Sequence, residues 1–219
     1  IGDAGCALAL EGLERAAAIL GPEALRRSLP RLEHAEMVTD EGIAIMARLG
    51  VIASVQPMFD GLWGGEGGMY EQRLGVERTA SMNPFADLVR AGVTVAFGSD
   101  SPVTELGPWG AIRAAVHHTV AGQRLSARAA FSAHTRGGWR AVGDTEAGTL
   151  APGAPAHYAV WTVDKVVVQA PDERLSAWST DPRSGTPGLP VLNGDADLPT
   201  CLRTVAHGRT IFDAGVLEA

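Results

Sequence analysis

"VIASVQP", residues 51–57, is an almost unbroken apolar run closed by proline. It is too short for a helix of ordinary length. It also lacks the every-second-residue polarity of a strand with one wet face. A short apolar run that stops at a helix breaker reads as a strand buried on both faces, the habit of parallel sheets. Upstream, "TDEGIAIMARLG" (39–50) places Thr39 as an N-cap, acids in the first helical turn and Gly50 as the stop. Downstream, "MYEQRLG" (69–75) and "NPFADLVRAG" (83–92) read as helices, the second with Asn83 as cap and Pro84 at its first position. Beyond these lie two further short strands, in "PRLEHAEM" (30–37) and "VTVAFGSD" (93–100).

Helices are also expected over 5–19, from Pro22 over 21–29, and over 108–120 and 126–143. Strands therefore alternate with helices at βαβ spacing, which implies an α/β fold with parallel strands. Three such units do not close an eight-stranded barrel; they form the last part of one or part of an open sheet. The glycine-rich stretch 58–68 reads as a long, mobile loop near the working end. After residue 144 the texture changes. "EAGTLAPGAPAHYAVWTVDKVVVQ" (146–169) and "CLRTVAHGRTIFDAG" (201–215) read as antiparallel β, the latter a hairpin turning at His207-Gly208. The stretch 170–199 reads as irregular.

The chain has 219 residues, 46% hydrophobic and 20% charged, enough to bury a sizeable core. Its net charge of −7 argues against a nucleic-acid surface. No apolar run approaches a membrane span and no signal peptide is visible, so a cytoplasmic protein is expected. Cys6 and Cys201 are far apart and read as small buried hydrophobes. Lys165 is the only lysine.

In parallel α/β folds, working residues sit at the carboxyl ends of strands. Here those ends carry Glu33-His34, Gln56-Pro57 and Ser99-Asp100. A neutral imidazole and a carboxylate from different strands suit one divalent metal, zinc among them. The bland alternatives stand beside this: His34 as hydrogen-bonded structure, and Asp100 as the acid of a local Asx-turn before Ser101-Pro102. Arg73 and Arg78 lie between the second and third strands. Either would suit a substrate carboxylate, with pairing to Glu71 or Glu77 as the alternative. Trp63 and Tyr70 are candidates to line a pocket. His117 and His118 read as a pair at the C-terminal end of a helix, favoured by its dipole. There is no G-x-S-x-G elbow, so a serine hydrolase has no support.

"RLEHAEMV", "VIASVQP", "MNPFADLVRAGVTVAFGSDSPV" and "GTLAPGAPAHYAVW" together resemble the C-terminal part of the amidohydrolase superfamily, in its amidohydrolase 3 (YtcJ-like) group. The resemblance implies the end of a (β/α)8 barrel over 1–143 and part of a small β-sandwich over 144–219. It implies a metal-dependent hydrolase of non-peptide C–N bonds, in amides or cyclic amides, using one or two divalent ions, zinc foremost. His34 matches the family's sixth-strand metal ligand. Asp100 matches the eighth-strand aspartate, both metal ligand and catalytic proton shuttle. Gln56 matches a substrate-facing residue after the seventh strand. Where the family has an acid in the sandwich, this chain has His157, read as surface.

The family's H-x-H pair, its bridging lysine or carboxylate and its fifth-strand histidine have no match. The opening "IGDAGCALAL" resembles the segment just after that histidine. The expected partner is a small amide substrate. A half-barrel's open edges also imply association, a homo-oligomer being one form. The rivals are a degenerate barrel that binds a small molecule or partner without turnover, and an isomerase or deaminase on the same scaffold.

Overall fold

A computed structural model describes residues 1–169, 178–179, 188–194 and 196–217. Helix α1 (Asp3–Leu20) buries Cys6, Leu10 and Ala17, four and seven residues apart on one face. α2 (Pro22–Arg27) begins with its proline at the first turn, where a missing N–H costs nothing. Strand β1 (Arg31–Glu33) leads to α3 (Asp40–Leu49). As expected, the Thr39 hydroxyl accepts from Gly42 N at 3.2 Å, and Gly50 closes the helix in the left-handed region. Strand β2 (Ile52–Val55) follows.

The chain then departs from the expected long loop. Residues Pro57–Trp63 form a helix, α4, succeeded by α5 (Met69–Leu74), α6 (Val76–Thr79) and α7 (Phe85–Arg90). Glycine hid α4. A Cβ on Gly61 would lie 3.1 Å from Ala114 Cβ, so the glycine serves close helix packing. Asn83 does not cap α7 through its side chain. Its backbone is left-handed (φ 52°), and Pro84 occupies the cap position.

Strand β3 (Val95–Phe97) is buried throughout. α8 (Pro108–Val116) comes next. The last helical stretch runs as α9 (Ala127–Ser132), a π turn (Ala133–Gly137) and α10 (Gly138–Arg140). It approaches the sheet closely: a Cβ on Gly137 would meet Val95 O at 2.2 Å. The three strands pair in parallel in the order β1-β2-β3, with Leu32 opposite Ala53 and Ala53 opposite Val95. The fold is thus α/β, with the three carboxyl ends on one edge. Its core gathers Leu10, Met46, Leu49, Val51, Val55, Phe85, Leu88 and Ile112 from sheet and helices.

The tail is antiparallel. Strands β4 (Tyr158–Trp161), β8 (Cys201–Ala206) and β9 (Arg209–Asp213) form one sheet. Strands β5 (Val166–Gln169), β6 (Trp178–Ser179) and β7 (Leu189–Pro190) form another. The β8–β9 hairpin turns at His207 and Gly208, both at positive φ (49° and 73°), as a tight hairpin requires. Leu189 and Leu192 join the main core, so the tail shares the hydrophobic interior of the parallel part. Most of the stretch read as irregular, residues 170–177 and 180–187, lies outside the described residues. Among the described residues no helix is long and apolar enough to cross a membrane.

Candidate functional site

The carboxyl edge of the sheet is where the backbone leaves regular geometry. His34 N still donates to Ser54 O at 2.8 Å, one residue past β1. Then His34 (φ 66°) and Ala35 (φ 47°) turn left-handed. At the end of β3, Gly98 N donates to Val55 O at 3.0 Å, and two residues later Asp100 is left-handed too (φ 54°). Side chains with a Cβ lose roughly 1–2 kcal/mol in that region, so such residues collect where a site needs them.

His34 is half-buried and held on two sides. Its Nδ1 lies 3.0 Å from Gln56 Oε1, and because an amide oxygen only accepts, Nδ1 carries the proton. Its ring stacks on Phe59, centroids 6.1 Å apart and planes 16° from parallel. Nε2 is left with its lone pair and no protein partner among the described residues. Asp100 is exposed. The turn after it is made by Ser99: Ser99 Oγ accepts from Ser101 N at 3.2 Å, and Ser99 O accepts from Thr104 Oγ1 at 2.5 Å. The Asx-turn alternative therefore gives way, and the Asp100 carboxylate has no hydrogen-bond partner among the described residues. Imidazole nitrogen and carboxylate oxygen are donors that zinc accepts, so the two residues fit a metal in kind. They are two, however, and zinc takes three or four protein or water ligands. Among the described residues no three His, Cys, Asp or Glu side chains cluster to hold a metal ion.

Gln56, the first residue after β2, is buried, at 5% exposure. Phe59, Trp63 and Tyr70 continue from the His34 ring as an aromatic row, with centroids 4.7 and 6.0 Å apart. Trp63 is half-buried. Tyr70 is buried, and its hydroxyl donates to Glu36 Oε2 at 2.6 Å. Burial, then the Glu36 carboxylate, push its phenol pKa well above the usual value. Arg73 is exposed on α5, with no ion-pair partner among the described residues. Arg78 instead pairs with Asp3 at 2.7 Å, not with Glu71 or Glu77.

Two groups escaped the sequence reading. Glu36 and Asp60 are buried acids, at 3% and 4% exposure. Asp60, in the unexpected helix α4, accepts from Thr119 N at 2.9 Å and Thr119 Oγ1 at 2.6 Å. Next to it His118, read as one of a helix-end pair favoured by the dipole, is fully buried. Its Nδ1 accepts from Val120 N (3.0 Å) and its Nε2 donates to Asn83 O (3.0 Å). Burial lowers its pKa, against the smaller pull of Asp60, whose carboxylate lies 3.6 Å away. The available signal was Pro57 at a helix start, followed by Phe59, Leu62 and Trp63 at helical spacing.

Parallel strands with a half-buried histidine and an exposed aspartate at their carboxyl edge define an α/β protein with a candidate site on that edge. A model described as the amidohydrolase family matches residues 1–212, and the chain belongs to that family. It is 32% identical over 136 residues to an imidazolonepropionase of Ruegeria pomeroyi, covering 60% of this chain and 29% of that protein. It is 31% identical over 172 residues to the protein LONG AFTER FAR-RED 3 of Arabidopsis thaliana, covering 73% of this chain and 28% of that one. The chain thus spans less than a third of the length of these relatives. Among solved structures it resembles an uncharacterized metal-dependent hydrolase from Pyrococcus furiosus. The TM-score is 0.57 at 28% identity, covering 68% of this chain and 29% of that one.

Proposed function

We propose that residues 1–143 are the C-terminal half of a (β/α)8 barrel and residues 144–219 part of its β-sandwich. The protein they belong to hydrolyses a non-peptide C–N bond in a small amide or cyclic amide. One observation carries the reading: among the described residues, His34 Nε2 and the Asp100 carboxylate both lack a hydrogen-bond partner at the same sheet edge. His34 and Asp100 would hold a divalent ion, zinc by the chemistry of the donors. When bound, that ion supplies the Lewis acidity that polarises the amide carbonyl and makes water nucleophilic near neutral pH.

The chain's own residues do the rest. Asp100 takes the proton of the attacking water and passes it to the leaving nitrogen, and its exposed turn gives it reach to both. Gln56 keeps its amide nitrogen for a substrate oxygen. Trp63, backed edge-on by Tyr70, walls the site. Arg73 would pair with a substrate carboxylate. A second reading, binding without turnover, draws on the count of donors: His34 and Asp100 are two where zinc takes three or four.

The test is hydrolysis of a panel of amides and cyclic amides before chelation, after it, and after zinc is restored. Loss on chelation and recovery with zinc is the expected result. Turnover that ignores the chelator would sink the metal mechanism; no turnover alongside tight binding of a panel member would favour the second reading.

A further inference from the structure

We infer that Gln56 is a positioning residue: with Phe59, it locks the His34 ring in the one tautomer and plane that leave Nε2 free. This deepens the metal reading above and takes His34 as a ligand from it.

A neutral imidazole has one donor and one acceptor nitrogen, and its partners choose which is which. Among the described residues, only one such choice is built in around His34. Gln56 Oε1 stands 3.0 Å from Nδ1 and can only accept, so the proton is kept at Nδ1. Gln56 is buried, which removes water as a competitor for that proton. The ring plane is set separately by Phe59, which lies nearly parallel to it at 16°.

Both contacts come from the start of α4, Gln56 at its cap and Phe59 in its first turn. That helix is itself anchored. Asp60 accepts two hydrogen bonds from Thr119, and a Cβ on Gly64 would fall 2.5 Å from Asp60 Oδ1, so the glycine makes room for the anchor. α4 is therefore a clamp on His34. Second partners of this kind fix the tautomer and raise the basicity of ligating histidines, and losing one costs about 10–100-fold in metal affinity.

The experiment is nitrogen NMR of the protein labelled with 15N-histidine, above the imidazole titration range, in wild type, Gln56→Glu and Gln56→Met. In wild type the His34 signals should show a protonated Nδ1 and an unprotonated Nε2. Gln56→Glu retains an acceptor oxygen and should retain the pattern. Gln56→Met keeps the bulk, removes the acceptor, and should shift His34 toward protonated Nε2. Zinc affinity, by competition with a chromophoric chelator, should fall about 10–100-fold in Gln56→Met and recover in Gln56→Glu. A wild-type His34 protonated at Nε2, or a Gln56→Met variant with the wild-type pattern, overturns the proposal. The wild-type spectrum decides even if Gln56→Met does not fold. Wild-type protein with the expected tautomer but no zinc affinity would instead count against the metal reading, so the two failures are distinguishable.

Discussion

The sheet edge around His34 and the buried network around His118 each centre on a histidine near a carboxylate, yet they are built to opposite ends. His118 has both ring nitrogens engaged by backbone, at Asn83 O and Val120 N, and no exposure. Its imidazole supplies partners that Val120 N, in the chain leaving α8, and Asn83 O, ahead of α7, would otherwise lack. His34 has one nitrogen engaged, by a side chain, and the other without a partner among the described residues. The carboxylates follow suit. Asp60 is buried and doubly bonded to Thr119, whereas Asp100 is exposed and bonded to nothing among the described residues. A histidine satisfied at both nitrogens is spent on structure. One satisfied at a single nitrogen by a chosen partner is available for chemistry.

If that contrast holds, the two regions should respond oppositely to substitution. The largest effect is expected for Asp100→Asn. Amide hydrolysis should fall about 10²–10⁴-fold, the usual worth of a general acid–base group, with no change in the denaturant midpoint. An equal loss of stability would erase the distinction. His118→Ala should do the reverse. It orphans Val120 N and leaves a cavity, so unfolding free energy should drop by about 2–4 kcal/mol in urea titrations.

Acidification gives a third handle. Burial lowers the pKa values of His118 and His134 below the ordinary 6.5. The unfolded chain then binds protons that the native chain refuses, so stability rises with pH across that interval. It should be complete above about 6.5 and decline as pH falls from there toward the depressed native values; His118→Gln with His134→Gln should flatten the slope. A small effect on stability is expected for His34→Ala. Zinc binding should be lost while stability changes by under about 1 kcal/mol, because a half-exposed residue in a left-handed conformation gives up little on removal.

Much of the α/β portion was legible because its signals are local. Thr39, Gly50 and Pro22 mark helix ends by their own chemistry, and "VIASVQP" and "VTVAF" are strands by apolar content alone. His34 and Asp100 were legible as strand-end residues, and the family resemblance implied roles for them. α4 was not legible. Three glycines in "DGLWGG" look like a loop, and only contact with Ala114 and Thr119 shows why the first two are small. Nor was the burial of His118, since a histidine at a helix end has the same local sequence whether solvent or Asn83 meets it.

The sequence by itself determined the alternation of strands and helices, the parallel pairing, the family, and which residues stand at the carboxyl edge. Backbone propensity, capping and hydrophobic period act over a few residues and are written there directly. Tertiary structure alone decided which polar groups are used up and which remain free. Gln56 meets His34 from 22 positions away and Asp60 meets Thr119 from 59. Whether a nitrogen or a carboxylate is left for chemistry depends on partners that only packing brings within hydrogen-bond reach.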